Sequence, residues 1–474
     1  MITFDYYTLA EFLKEQKEFF LGARINKIQQ PTRREFIFAL RNNSETRQLY
    51  VNINPQFYHV CFMSKENQVK RVLEIPRKPP MFCMLLRKYL ENSRIAKVNL
   101  PEGERILEIF IETYSEVGEK IYLCLAFEFM GKHSNVILYN YDTNVIIGCA
   151  HNVGSEKSRE REIFGGIPYV YPPKQNFVLK KWDSLIEVEA ITSSVNSLID
   201  DYYATQIAND KFRVLKGNYS SIISQKLKKV TKSLKQMEYK LLSDSDSDKY
   251  RLWGDLIMAN LYALKDFINV VSVYDYENDK QIVLKLDETK TLKDNATQFY
   301  KLYNKAKIAR NKLNELIEES NTKKEYFEQV LYSINSAQNI EDLFEITPEV
   351  IENTDRKESK NKIQDVLMIE ESDGSRIYIG KNNKQNDYII SKLATEDDLW
   401  FHVHNCAGSH ILLKTQNVTD ELILKCAKLA KEYSSVKDSS KIGVIYTKRK
   451  YIRKPPASPL GYVTYKNEKE IVLD

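Results

Sequence analysis

The stretch Phe299-Tyr-Lys-Leu302-Tyr-Asn-Lys-Ala306-Lys-Ile-Ala309-Arg-Asn-Lys-Leu313-Asn-Glu-Leu316 decides the architecture of this 474-residue chain. Its small and apolar residues recur at steps of three and four, and the seam continues through Ser320, Lys323, Phe327 and Val330 to Ile334. A second seam of the same period runs through Phe212, Leu215, Tyr219, Ile223, Leu227, Val230, Leu234, Met237 and Leu241. Such spacing, sustained over about five heptads, predicts a coiled coil rather than a globular helix. The two arms are separated by a compact insert, a Ser-Asp repeat at 243–248 and then Tyr250 to Asp294, so an antiparallel hairpin over 206–340 is the economical topology. An arm of about 35 residues reaches about 50 Å at a rise of about 1.5 Å per residue, the length of a spacer or lever.

Working outward, residues 1–176 read as a mixed α/β domain. A helix is expected from Thr8 to Phe20, stopped by Gly22, and another from Pro80 to Leu90, because proline suits a first helical turn. Alternating runs at 24–29, 35–40, 48–53, 105–111, 121–129 and 135–139 read as strands. Residues 177–205 read as a linker with a short helix, and 341–361 as a second linker. A final α/β domain covers 362–474, with strands near 366–369, 376–380 and 442–447 and one helix from Asp420 to Tyr433. The fold class is therefore α+β and multidomain: two mixed domains joined by a long antiparallel coiled-coil hairpin.

Composition bounds the function. A 43% hydrophobic and 28% charged chain is that of a globular protein. The 70 basic residues are nearly matched by 65 acidic ones, so the net charge of +5 permits a nucleic-acid partner without demanding one, and local charge decides. The first arm is lopsided: Lys226, Lys228, Lys229, Lys232, Lys235 and Lys240 face little beyond Glu238, either as a solvated face or as a surface that follows phosphates. The six cysteines show no C-x-x-C pair and four lie in apolar runs, which predicts buried, reduced thiols and a cytoplasmic protein. The beginning Met1-Ile-Thr-Phe-Asp5 lacks a basic signal region, and no apolar run approaches the roughly 18 residues of a membrane span.

No phosphate-binding glycine loop, dinucleotide fingerprint or nucleophile elbow is present. That excludes the common catalytic constellations and favours a binding protein that is not an enzyme and needs no cofactor. The chemistry gathers instead in Gly380-Lys-Asn-Asn-Lys-Gln-Asn-Asp387 and Asp397-Asp-Leu-Trp-Phe-His-Val-His-Asn-Cys-Ala-Gly-Ser-His410. Three occupants suit these stretches. His402, His404 and His410, with Cys406 or Asp398, have the residue types of a zinc site, although no accompanying metal motif supports one. A small polar substrate is the second. The third is RNA: Trp400, Phe401, Tyr378, Tyr388 and Tyr451 to stack, Asn382, Asn383, Gln385 and Asn386 to read base edges, and Lys381, Lys384, Arg449, Arg453 and Lys454 to meet phosphates. Trp400 and Phe401 equally suit the core of an apolar strand. In the N-terminal domain Arg87 and Lys88 stand beside a packed helix face. Glu104-Arg105 opens a strand, and His133 lies in the polar turn Met130-Gly-Lys-His-Ser-Asn135.

Together these stretches resemble the NFACT family of RqcH-like and NEMF-like ribosome quality control factors, members of which are also labelled fibronectin-binding. The N-terminal resemblance lies in Pro79-Pro-Met-Phe-Cys-Met-Leu-Leu-Arg-Lys88, Glu104-Arg-Ile and Met130 to Asn135. The C-terminal one lies in Gly380 to Asp387, Asp397 to His410 and Lys450 to Gly461. The resemblance implies a factor that binds the rRNA of an obstructed large (50S) ribosomal subunit carrying peptidyl-tRNA. It would recruit charged tRNA, alanyl-tRNA in bacteria, and direct an untemplated C-terminal tail on the stalled chain, with no DNA or membrane partner. It also implies a tRNA and tailing role for Asp5, Glu104, Arg105, Arg87, Lys88 and His133. In the C-terminal domain it implies RNA binding by Lys381, Asn382, Gln385, Asn386, Asp387, Asp398, Trp400, His402, Gly408, Ser409, His410, Arg453 and Lys454. The chain departs from the family pattern in Glu104 for Asp, in His404 where Lys is common and in Ala407 where Pro is usual. It also lacks a recognisable helix-hairpin-helix module after the first domain. A fibronectin-binding surface adhesin and a zinc-dependent enzyme are the alternatives. The family's N-terminal domain also resembles that of formamidopyrimidine-type DNA glycosylases, but this chain has neither their N-terminal proline nor their four-cysteine zinc finger.

Overall fold

The computed structural model describes residues 4–114, 118–173, 194–243, 247–351, 366–456 and 458–474. The chain divides into two units, Met1–Phe212 and Arg213–Asp474.

The first unit is built on one antiparallel sheet. Its elements are α1 (Tyr6–Phe20), β1 (Arg24–Thr32), β2 (Glu35–Asn42), β3 (Glu45–Asn52), β4 (His59–Met63), α2 (Lys65–Lys70), α3 (Met81–Leu90), β5 (Arg94–Asn99), β6 (Ile106–Tyr114), β7 (Lys120–Glu128), β8 (Asn135–Asn140) and β9 (Ile146–Cys149). Two meanders, β4-β3-β2-β1 and β5-β6-β7-β8-β9, join side by side at β1 and β5 into nine strands. Helix α1 forms because Leu9, Phe12, Leu13 and Phe20 recur at helical spacing and bury one face. Its first turn is capped by the Asp5 carboxylate, which accepts from the Thr8 N–H at 2.8 Å. Gly22, at φ +78°, lets the chain reverse into β1.

Phe4, Phe12, Phe20, Phe36, Phe38, Phe127 and Phe129 fill the space between these helices and the sheet. Burial of each such side chain contributes about 1.5–3 kcal/mol. A smaller core of Ile106, Cys124, Ala126, Ile137, Tyr139 and Ile146 covers the opposite face. The last six residues of β7 are consequently all buried, which is why that strand reads as a continuous apolar run.

A long helix, α4 (Val195–Ser243), begins in this unit, where Ile199, Tyr203 and Ile207 join the larger core. The short helix expected within 177–205 is its beginning, while 177–193 lie outside the described residues. Its root is tied down by a buried ion pair, Arg71 Nη1 to Asp200 Oδ1 at 2.6 Å.

In the second unit α4 continues and is followed by α5 (Ser247–Ala259), β10 (Val270–Asp275), β11 (Lys280–Lys285), α6 (Leu292–Ser336) and α7 (Ile340–Val350). The hairpin is antiparallel. Lys216 Nζ donates to the Asn335 carbonyl at 2.7 Å, while ten residues further along α4 Lys226 Nζ lies 5.9 Å from the Phe327 ring centre. On α4 the seam is as the spacing requires: Tyr219, Ile223 and Leu234 are buried and Leu227, Val230 and Met237 half-buried. On α6 the expectation needs correction. Leu302, Leu316 and Lys323 are exposed, and their successors Tyr303, Ile317 and Lys324 turn inward. Ala306, Leu313, Ser320 and Phe327 keep their places and Tyr303, Ile317 and Lys324 hold the same seven-residue interval, so the stripe is a regular heptad seam with its second position one residue later than the apolar spacing suggests. The insert caps the far end as a small α+β head around Ile257, Val271, Val273, Leu284, Leu292 and Ala296. Part of the expected linker at 341–361 is helix α7, started by a capping box between Asn339 and Asp342. The internal Pro348 disguised that helix in the sequence.

The C-terminal part contains β12 (Leu367–Glu370), β13 (Arg376–Ile379), α8 (Asn383–Tyr388), β14 (Leu399–Val403), β15 (Ile411–Lys414), α9 (Asp420–Glu432), β16 (Ile442–Lys448), β17 (Ile452–Arg453), β18 (Thr464–Tyr465) and β19 (Lys469–Leu473). Its main sheet is antiparallel in the order β12-β13-β15-β14-β16-β19. Helix α9 packs Leu422, Cys426, Ala427 and Ala430 on one face. Ile389, Ile390, Trp400, Leu412 and Ile445 form the layer on the other. The α+β class and the hairpin between two sheet-rich regions are as the sequence predicts.

Candidate functional site

The first unit carries a cleft of about 1310 Å³, larger than the roughly 300–1,000 Å³ of small-molecule pockets. Three sequence-predicted residues from separate elements line it: Glu104 and Arg105 before β6, and His133 in the turn after β7. The Arg105 guanidinium donates from Nη1 to the Tyr58 hydroxyl at 3.1 Å, which fixes its direction. Beneath the cleft Glu128 is fully buried, bonded to Arg161 and accepting from the Tyr169 hydroxyl at 3.0 Å. Burial raises the Glu128 carboxyl above its ordinary range, against the Arg161 charge and both hydrogen bonds, and the nearby Glu104 charge adds to the rise. The Glu104–Arg105 corner thus sits over a preorganised acidic network with exposed cations around it. Such an arrangement can orient a polar, phosphate-bearing ligand by hydrogen bonds and charge.

The other N-terminal residues do not line this cleft. Asp5 caps α1. Arg87 donates from Nε to the Ile28 carbonyl at 2.8 Å and lies 3.7 Å from Glu91. Lys88 lies over the Tyr89 ring at 5.5 Å. The structure gives Asp5 and Arg87 internal tasks because helix ends and strand-edge carbonyls need partners once buried.

In the C-terminal region the expected surface for base edges is largely an interior. Asn382, Asn383, Gln385, Asn386, Ser409 and His410 are all buried, and Trp400 is 1% exposed. The Asn382 side chain caps α8 by accepting from the Gln385 N–H at 2.9 Å, and its Nδ2 donates to Glu345 Oε2 on α7 at 2.7 Å. Gln385 Nε2 donates to the same oxygen at 3.1 Å, and Asn383 Nδ2 to Glu349 Oε2 at 2.8 Å. Asn386 accepts from the His410 N–H at 3.0 Å. Gly408 bonds Gln329 of α6 through both its N–H and its carbonyl. The Ser409 N–H reaches the Tyr433 carbonyl at 2.8 Å. This polar motif is a joint between the base of the hairpin and the C-terminal sheet. Its amides are satisfied within the protein, and the reading of them as base-edge readers is corrected accordingly.

The histidines separate. His402 stacks on Trp400 at 5.7 Å between ring centres, and His410 meets both rings edge-on. His404 turns to Glu470 at 3.1 Å. Burial lowers His402 to about 4 and holds His410 well below the usual histidine range. Among the described residues no group of three or more His, Cys, Asp or Glu is placed to hold a metal.

The remaining predicted residues lie nearer solvent. Arg453 is exposed on β17. Lys454 pairs with Asp387, which also accepts from the Gly461 N–H at 3.4 Å. Lys381 is half-buried and its N–H is held by Gln385 Oε1 at 3.1 Å. Asp398 accepts from the Thr395 N–H at 2.7 Å and lies 3.4 Å from Lys414. Sequence reasoning missed Arg33, Arg34, His151 and Lys157, which also line the cleft. The Arg33-Arg34 pair between two predicted strands was the available signal, since polar residues at a hairpin turn must face outward.

Comparison with known proteins matches the NFACT N-terminal and middle domains to residues 5–191 and 178–365, and the NFACT protein RNA binding domain to residues 365–467. The Bacillus subtilis (strain 168) protein described as "Rqc2 homolog RqcH" is 26% identical over 554 residues, covering 97% of this chain and 95% of that protein. The protein so described from Streptococcus pneumoniae serotype 2 (strain D39 / NCTC 7466) is 26% identical over 543 residues, covering 99% and 97%. Both alignments are longer than this chain, so each relative carries residues without a counterpart here. A solved structure, the C-terminal part of the fibronectin/fibrinogen-binding protein from Streptococcus suis, shares 26% identity with a TM-score of 0.45, covering 56% of this chain and 95% of that one.

Proposed function

Since the chain belongs to the NFACT family, we propose that it is a ribosome-associated quality control factor that binds large subunits obstructed by peptidyl-tRNA. It recruits charged tRNA, alanyl-tRNA, and directs untemplated C-terminal tailing of the stalled chain in the cytoplasm. The observation that carries this reading is the match of both family models, in sequence order, over nearly the whole chain. The convergence of Glu104, Arg105 and His133 on one cleft supports it. On this reading the protein acts by binding. The cleft holds tRNA, the C-terminal domain holds RNA through its outward cations, and the ribosome's own centre makes each peptide bond. We assign the relatives' unmatched residues to the helix-hairpin-helix module of the family, which makes tRNA choice the step most altered in this chain.

Sedimentation of a cell lysate tests the reading. The protein is expected with large subunits, released as salt rises, because phosphate contacts lose affinity by about 0.7–0.9 log units each per decade of salt. Arg105→Ala is expected to abolish tails while leaving sedimentation unchanged, and unaltered tails would remove Arg105 from the tailing role. Sequencing of co-purified tRNA identifies the tRNA. Recovery at the cell surface, bound to fibronectin and absent from ribosomal fractions, would replace this reading with the adhesin.

A further inference from the structure

The cleft of the first unit contains a second cluster that the Glu104–Arg105 corner leaves unused. Arg33 and Arg34 form the two-residue loop of the β1–β2 hairpin, since Thr32 pairs directly with Glu35. The strands therefore hold two exposed arginines at the turn, and both line the cleft. Lys157 and His151, from the segment after β9, line the same cavity. His151 is fixed by a reciprocal pair of hydrogen bonds: its N–H donates to Asn135 Oδ1 at 3.0 Å and its carbonyl accepts from Asn135 Nδ2 at 2.9 Å. Its ring Nε2 is buried without a partner. Burial, and then the charges of Arg34, Arg33 and Lys157, lower its pKa, which places these three cations near the ring. Among the described residues Arg33, Arg34 and Lys157 form no ion pair. Glu102, Glu104 and Glu160 line the same cleft, and none of them is an ion-pair partner of these three cations.

We infer that Arg33, Arg34 and Lys157 form a phosphodiester subsite that grips the backbone of single-stranded RNA entering the cleft. The inference rests on the RNA-binding reading given above. Guanidinium forks match phosphate oxygens bidentately, and a lysine adds a mobile point charge. A cavity larger than small-molecule pockets, open to exposed cations, suits a stretch of chain more than a lone anion. The cluster positions the strand and Glu104–Arg105 contact the nucleotide beyond it, the usual division between backbone grip and readout.

The test uses the full chain and a 5′-fluorescein-labelled, twelve-nucleotide single-stranded RNA, with fluorescence anisotropy measured at several KCl concentrations. Combined Arg33→Gln, Arg34→Gln and Lys157→Gln substitution is expected to weaken binding and to reduce the slope of log affinity on log salt by about 2, at about 0.7 per lost contact on a single strand. The variant's unfolding transition, compared with the wild type, establishes that it is folded. An unchanged slope in a folded variant overturns the subsite. So does displacement of the RNA by micromolar inorganic phosphate or a mononucleotide, which assigns the cluster to a free anion. Sedimentation of the wild type with large subunits reads the broader function separately. Its loss refutes the quality control reading, whereas an unchanged salt slope with normal sedimentation refutes the subsite alone.

Discussion

Gln329 on α6 and Gly408 after β14 exchange two hydrogen bonds: Nε2 donates to the Gly408 carbonyl and the Gly408 N–H donates to Oε1, each at 2.8 Å. A glutamine side chain thereby pairs with a backbone amide as a neighbouring strand would. The contact joins the helical hairpin to the C-terminal sheet within the second unit. The glycine at 408 answers to another neighbour: a Cβ there would lie 3.1 Å from Ser434 Cβ and 3.3 Å from the Tyr433 carbonyl oxygen.

Gln329→Ala leaves the Gly408 N–H without its side-chain partner and the Gly408 carbonyl with the longer bond from Asn386 Nδ2 at 3.5 Å. Urea unfolding is expected to show a loss of about 1–3 kcal/mol. A change within about 0.5 kcal/mol, the range of ordinary surface substitutions, would remove Gln329 from the joint.

Glu345→Ala deprives the buried Asn382 and Gln385 amides of their shared acceptor. A cost of about 2–5 kcal/mol is expected, because the bonds are charge-assisted and both amides remain buried. Faster proteolysis around α8 is the accompanying readout, and an unchanged digestion pattern would contradict the joint.

Asp200→Ala strands the Arg71 charge, whose side chain is 0% exposed and lies 4.7 Å from the centre of the Tyr50 ring. The expected loss is about 3–5 kcal/mol, whereas Arg71→Met with Asp200→Leu removes both charges and costs less. A double variant as unstable as Asp200→Ala would show that packing, not the stranded charge, dominates.

Acid is expected to weaken the fold through its buried histidines. Burial holds His402 at about 4 and sets His59 and His410 well below the usual histidine range. An unfolded histidine takes up its proton near pH 6.5. Between pH about 6.5 and about 4 the unfolded chain therefore binds more protons, and stability is full above this window and falls as pH drops through it. Urea midpoints should decline from pH 7.5 to pH 4.5. His402→Gln should decline less steeply, and a slope equal to that of the wild type would exclude His402 from the effect.

The sequence by itself determined what depends on periodicity and local chemistry. Spacing of Tyr219, Ile223 and Leu234 placed the first arm's seam, the apolar runs at 121–129 and 135–139 placed β7 and β8, and Glu104, Arg105 and His133 stand out by residue type and local setting. Tertiary structure alone decided which polar residues face outward. Asn382, Gln385 and Asn386 look like readers of a ligand because amides supply paired donors and acceptors, yet Glu345 and the His410 N–H occupy those groups. These partners lie 37 and 40 positions away for Glu345 and 24 for His410, and no local pattern encodes such distances. The same holds for Arg33 and Lys157. Strand pairing of the sheet and the return of the chain after β9 bring them to one cleft, because burial of the apolar faces fixes where the loops between them emerge.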